Sequence, residues 1–180
     1  MNSTVIALYF HLPVVPEIML FIVSLVLIVL INLFPARVKN SVFRLRSIKK
    51  GHELILLFSS VFLLSLAANI LSGLFLVPGT ILWWQLVINI VVCLIAALVL
   101  LLNGLSRAFV TSLQLGVKWR VLLFLFWWVP GVNIWLLNKV TRLIKHEYEF
   151  ETAKIALNET RKENELCKTR YPLLMVHGVF

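Results

Sequence analysis

The sequence predicts an all-α membrane protein: three to four transmembrane helices, then a charged juxtamembrane helix and a short C-terminal strand-like segment. Three observations carry this reading. Apolar residues fill 61% of the 180 positions and charged residues only 14%, with a mean hydropathy of +0.96, far from the composition of a soluble domain. The apolar residues gather into runs close to the length, about 20 residues, that crosses the hydrocarbon of a bilayer. The 17 Lys and Arg outnumber the 8 acids but lie between those runs, as flanks of membrane segments do. The expected partner is therefore the lipid bilayer, and no nucleic acid.

The first span covers about 14–34. It is apolar apart from Glu17 at its edge, Ser24 and Asn32, with Pro13 and Pro16 at its start and Pro35 at its exit, where a fixed φ and a missing N–H are tolerated. Met1 to Pro16 holds no Lys or Arg and no small-residue cleavage site follows the run, so it is expected to remain as an anchor and not to act as a signal peptide. Next come Arg37, Lys39, Arg44, Arg46, Lys49 and Lys50 without an acid. The positive-inside rule puts this loop in the cytoplasm, and so a plasma-membrane protein with its N-terminus outside. Val42, Phe43, Leu45 and Ile48 offer the same loop a second reading, as an anionic-lipid site.

The second span, about 54–77, carries Ser65, Asn69, Ser72 and Gly73 at three- and four-residue spacing. They share one helix face, suited to close helix packing in lipid or to a solute path. Pro78-Gly79-Thr80 marks an uncharged turn. The third span, about 83–102, opens on Trp83 and Trp84, whose amphipathic rings favour the headgroup region, and places Asn89 and Cys93 at i, i+4, facing the preceding helices. Arg107, Lys118 and Arg120 then return the chain to the cytoplasm, and Ala108, Phe109, Leu113, Leu115 and Val117 suit a segment lying on the interface.

Residues 121–137 admit two readings. As one helix they are only about 25 Å long, with Trp127 and Trp128 near the middle and Pro130-Gly131 and Asn133 in the second half. A crossing would put Lys139, Arg142 and Lys145 outside, against the usual charge bias. A re-entrant turn at Pro-Gly keeps them inside, provided the turn's backbone polar groups find partners. The membrane domain so defined is 1–138. Residues 139–167 follow as a charged connector helix, uninterrupted by Gly or Pro, and 168–180 form a third, short unit.

Little chemistry is spelled out before that last unit. Cys93 sits in an apolar run and Cys167 in a charged tail, and His11, His52, His146 and His177 lack partners at metal-ligand spacing. No phosphate-cradling glycine loop and no Gly-x-Ser-x-Gly occurs, so neither metal nor cofactor is expected. The four apolar runs hold no Asp, Glu, Lys or Arg in their interiors, which argues against ion-coupled transport.

The closing residues Tyr-Pro-Leu-Leu-Met-Val-His-Gly-Val-Phe, 171–180, are similar to the opening strand and oxyanion turn of α/β-hydrolase lipases and esterases. With the upstream spans and Glu163-Asn-Glu-Leu-Cys-Lys-Thr-Arg170, the chain resembles the membrane-anchored hydrolases of Gram-positive bacteria. That resemblance implies that Leu173 to Val176 form a buried strand, that His177 and Gly178 shape the turn, and that the Val179 N–H faces the oxyanion. It implies a lipid or ester substrate. Nucleophile, acid and base would all follow Phe180, so the chain as given is expected to anchor and not to hydrolyse. An alternative is a small multi-span interaction or assembly module docking through its charged helix. A third reading, a small channel or transporter, rests only on the polar faces of the second and third spans.

Overall fold

The computed structural model describes residues 2–10, 13–37, 42–75 and 83–163. It is built from six helices in chain order: α1 (Ser3–Tyr9), α2 (Val14–Leu33), α3 (Phe43–Phe75), α4 (Trp83–Thr111), α5 (Val117–Leu125) and α6 (Pro130–Glu163). There is no strand among the described residues, and the strand-like segment and hydrolase start expected at 168–180 lie outside them. Three helices, α2, α3 and α4, are long and apolar enough to cross a membrane. The fold is thus that of a helical membrane protein, with three and not four spanning helices among the described residues.

In α2, Pro13 occupies the N-cap and Pro16 the first turn, where the backbone N–H has no intrahelical acceptor to lose. After the C-cap at Phe34, Pro35 prevents continuation. The helix α3 has 33 residues and reaches about 50 Å, well beyond the hydrocarbon thickness. Its excess lies at the N-terminal end, where the sequence reading expected a loop. Residues 43–52 carry straight-chain Arg, Lys and Leu, good helix formers, and Leu45 and Ile48 are fully buried there. Only Val42 and Phe43 of the four suggested lipid-facing residues are exposed, so the apolar side of this segment is spent on packing within the protein.

The main seam of the bundle joins α3 to α4. Gly51 and Gly104 let the two backbones touch. A Cβ on Gly51 would stand 2.9 Å from the Gly104 carbonyl oxygen, and one on Gly104 would stand 3.0 Å from Ile55 Cγ1. Ala97, Leu100, Gly104 and Ala108 repeat along the α4 side of the seam at three- and four-residue spacing and are buried, the small-residue packing that lipid-embedded helices use in place of a hydrophobic driving force. Because of this packing α4 continues to Thr111. Ala108 and Phe109 are therefore helical, and Ala108 and Leu115 are buried, while only Leu113 and Val117 of the expected interfacial set are highly exposed.

Beyond α4 the chain folds back on the bundle. Leu123 of α5 joins one core with Leu45, Ile48 and Ile55 of α3, Leu105 and Ala108 of α4, and Val140 and Ile144 of α6. Residues 121–137 are not one helix, since a turn over 126–129 divides them. Trp119 and Trp135, eight residues before and after Trp127, meet with ring centroids 6.4 Å apart, which makes α5 and the start of α6 a helical hairpin. The expected connector is therefore the continuation of the hairpin's second arm. Pro130 opens that arm at a position where its missing N–H costs nothing.

The Gly51–Gly104 crossing leaves no room for a side chain. In purified protein held in mild detergent, Gly51→Val is expected to lower thermal stability by about 1–3 kcal/mol. Gly116→Ala, at a position with nothing within 4 Å, is expected to melt like the unsubstituted protein; equal melting of the two variants would refute the close contact.

Candidate functional site

Two polar junctions organise the bundle, one at each end of the α3–α4 seam. At the basic end stands Glu147 of α6, only 1% exposed. Its Oε2 accepts hydrogen bonds from Ser112 Oγ and from the Gln114 N–H at 3.2 Å, and its Oε1 accepts one from the Leu113 N–H at 3.0 Å. Arg44 Nη1 lies 3.6 Å from Oε1, an ion pair longer than a hydrogen bond, and Arg44 Nη2 lies 3.8 Å from Glu151 Oε1. Ser112 Oγ in turn accepts from the Leu115 N–H at 3.1 Å, and Arg120 Nη2 donates to the Ser112 carbonyl at 2.9 Å. One carboxylate thus ties α6 to the α4–α5 loop and to the start of α3. A charge is tolerated in so dry a place only because its lone pairs are met by donors.

The local sequence explains why Glu147 is there. Leu136, Val140, Ile144 and Glu147 are the fully buried residues of one α6 stripe at three- and four-residue spacing, so the helix delivers a carboxylate where the stripe would otherwise carry a Leu. The loop after Thr111 has left the α4 helix and exposes two successive N–H groups, those of Leu113 and Gln114, to it.

The second junction lies inside the membrane-spanning part. Asn89 Nδ2 donates to Asn69 Oδ1 at 2.8 Å and to Asn2 Oδ1 at 3.0 Å. Asn69 Nδ2 donates to the Ser65 carbonyl at 2.7 Å, and Cys93 Sγ donates to Asn2 Oδ1 at 3.0 Å. Ser65, Asn69, Ser72, Asn89 and Cys93 are all buried. The polar face foreseen on the second span is therefore mainly a helix-packing face, as is the Asn89–Cys93 pair foreseen on the third. A cavity of about 180 Å³ beside it is lined largely by Phe62, Leu66, Ile70, Ile90 and Leu94. Cys93 donates to an amide oxygen and has no base beside it in this network, so nothing here activates the thiol.

Near the other end of α2, Asn103 Nδ2 donates to Asn32 Oδ1 at 2.7 Å, and Arg107 Nη2 donates to the Asn32 carbonyl at 2.9 Å. Arg107 Nε also donates to Asn103 Oδ1 at 3.1 Å. The first charged residue after the third span thereby closes the C-terminal turn of α2, where carbonyls have no intrahelical partner.

The hairpin tip closes on itself. The Trp128 indole N–H donates to the Leu125 carbonyl at 3.0 Å and Asn133 Nδ2 donates to the Trp127 carbonyl at 3.1 Å, while the Val129 N–H reaches the Phe126 carbonyl at 3.1 Å. Part of the turn's backbone is thus met by the chain itself, while its side chains Phe124, Trp127 and Trp128 are 81%, 67% and 72% exposed.

His177, Gly178 and Val179, the residues the hydrolase resemblance singles out, lie outside the described residues. Among the described residues no group of three or more His, Cys, Asp or Glu could hold a metal ion. Sequence reading missed Glu147, whose signal was an acid in phase with Val140 and Ile144, and Asn2, just before α1, a helix too short to announce itself. Searches against models of protein families, curated proteins and solved structures find no match to this chain.

Glu147→Ala strands two loop N–H groups and a hydroxyl and leaves Arg44 only Glu151; it is expected to cost about 3 kcal/mol and to speed amide hydrogen exchange at Leu113 and Gln114. Glu149→Ala removes only an exposed i, i+4 pair with Lys145 and is expected to cost under about 0.5 kcal/mol. Equal effects would argue against the clamp. In the second junction, Asn89→Leu is expected to lower stability by about 1 kcal/mol, read as an earlier melting midpoint.

Proposed function

We propose that this chain is a membrane anchor that holds a lipase- or esterase-like serine hydrolase domain against the bilayer, on the side of the basic segments. The observation that carries the anchoring half is the course of α6. Its first part is fixed by the buried stripe and by Glu147, and Ile155 is still packed against the core. From Ala156 to Lys162 every residue is exposed. The helix is thus seated rigidly at one end and stands clear of the bundle at the other, the arrangement a tether to a further domain requires. The hydrolase half rests on the resemblance of 171–180.

Topology follows the charges. α2, α3 and α4 cross, the α5–α6 hairpin dips into the leaflet and returns, and Arg44, Arg107, Lys118, Arg120, Lys139, Arg142 and Lys145 all stay on the cytoplasmic face of the plasma membrane, with the N-terminus outside. The hydrogen bonds within the tip at 126–129 support the dip, since an irregular turn at membrane depth needs partners for its polar groups.

A second reading, an assembly module, is favoured by Phe150 and Leu157, apolar residues seven apart on α6 and about half exposed. Leu157→Glu would then abolish co-purification of a partner and leave the bundle's melting unchanged, whereas the anchor reading expects no such partner loss.

Two measurements test the anchor. In a Cys93→Ala background, an impermeant thiol reagent is expected to label Cys167 in inside-out membrane vesicles and not in right-side-out ones; the reverse pattern would overturn the topology. A fluorophosphonate probe applied to membranes containing the native gene product is expected to label a species larger than the 20.6 kDa of this chain. No labelled species would remove the hydrolase and leave the anchor.

A further inference from the structure

At the end of the bundle away from the basic segments, a cavity of about 270 Å³ lies between α1, α2 and α4. Its polar lining comes from Ser3, Glu17 and Asn89, and its apolar lining includes Ile18, Phe21 and Ile88. Two of these, Ile18 and Ile88, are each 52% exposed, so the cavity opens sideways to where lipid would lie.

Glu17 is the charged residue of this cavity's lining. It makes no ion pair with any described residue. No Lys or Arg occurs in 1–36 or in 54–106, the stretches that build this end of the molecule. Its side chain, half-buried at the first turn of α2, thus has no Lys or Arg of this end to pair with; His11 and the amino terminus lie outside the described residues, and an unpaired carboxylate beside lipid favours a cation supplied from outside. Asn89, 3% exposed, spends its amide hydrogens on Asn2 and Asn69, and its Oδ1 accepts no hydrogen bond from the described residues. An acid and an amide residue thus line a cavity whose remaining lining is mostly apolar.

We propose that this cavity binds the ammonium-bearing headgroup of a membrane lipid, with Glu17 as counter-charge, Asn89 Oδ1 as a second acceptor, and Ile18, Phe21 and Ile88 against the upper acyl chain. The pocket discriminates by charge. A headgroup ending in an ammonium pairs with Glu17, and one presenting only a phosphate and hydroxyls is repelled by it. The site is independent of any hydrolase domain, because all of its residues lie in α1, α2 and α4.

Purified protein is offered phosphatidylethanolamine or phosphatidylglycerol of the same acyl composition and read by native mass spectrometry. Retention of the ethanolamine lipid is expected, about tenfold above the glycerol lipid, and Glu17→Gln is expected to erase the difference. Val92→Trp, which keeps the carboxylate and fills the cavity that Val92 lines, is expected to lower retention of the ethanolamine lipid. Equal retention of the two lipids by the unsubstituted protein, or an unchanged preference in Glu17→Gln, would overturn the site. Complete displacement of the lipid by free ethanolamine at matched concentration would overturn the lipid assignment in favour of a soluble amine. A melting midpoint of Glu17→Gln equal to that of the unsubstituted protein, measured without added lipid, identifies loss of binding as local.

Discussion

A carboxylate carried out of water has to collect its partners from whatever the fold can bring to it, and Glu147 collects hydrogen bonds and an ion pair from two separate stretches of chain. Ser112, Leu113 and Gln114 come from the loop between α4 and α5, and Arg44 comes from the start of α3. The loop N–H groups have no helical acceptor of their own, whereas Arg44 also reaches Glu151. The loop has left the helix that would have engaged its amides, and an unpaired N–H beside a hydrophobic core is expensive. Loop, helix start and α6 are therefore placed by a mutual requirement. The core of Leu45, Ile48, Leu123, Val140 and Ile144 supplies the gain from burial, while the carboxylate fixes which rotation and which height of α6 that core will accept.

The same division of labour recurs in the membrane-spanning part. The Gly51–Gly104 contact brings α3 and α4 together without choosing a register finely, because small residues repeat along the seam. The amides of Asn69 and Asn89 choose it: sliding one helix by a turn would separate them and leave each facing hydrocarbon. Asn2 uses the same junction to hold α1, a helix of seven residues that would not persist alone. Arg107 and Asn103 do for α2 what Asn2 does for α1, giving its last turn donors from α4.

What could be read from the sequence and what could not follow from this division. Composition and run length made the three crossing helices legible, and the polar face of the second span was visible as spacing alone. The helical start of α3 was hidden because six positive charges without an acid resemble a solvated loop, although Leu45 and Ile48 were already in phase for packing. The hairpin at 126–129 was half visible. Pro130-Gly131 announced a break, but its tolerance near lipid depends on the Trp128 indole and the Asn133 amide reaching particular carbonyls, and such reach is a matter of three-dimensional placement. Glu147 was seen as one charge among many in the connector. Only the partner loop distinguishes it from Glu149, two residues on, whose carboxylate stands in the open.

The uninterrupted course of α6 past Ile155 has a geometric consequence for anything attached to it. A helix advances about 1.5 Å and turns about 100° with each residue. With Glu147 fixing the phase at the bundle, the compass direction in which a following domain faces the bilayer is set by the number of residues between that carboxylate and the helix end. Adding one residue there would barely change the domain's height above the lipid, yet would swing it by more than a quarter turn. In such an anchor the helix serves as a dial, and its length is a setting and not a spacer.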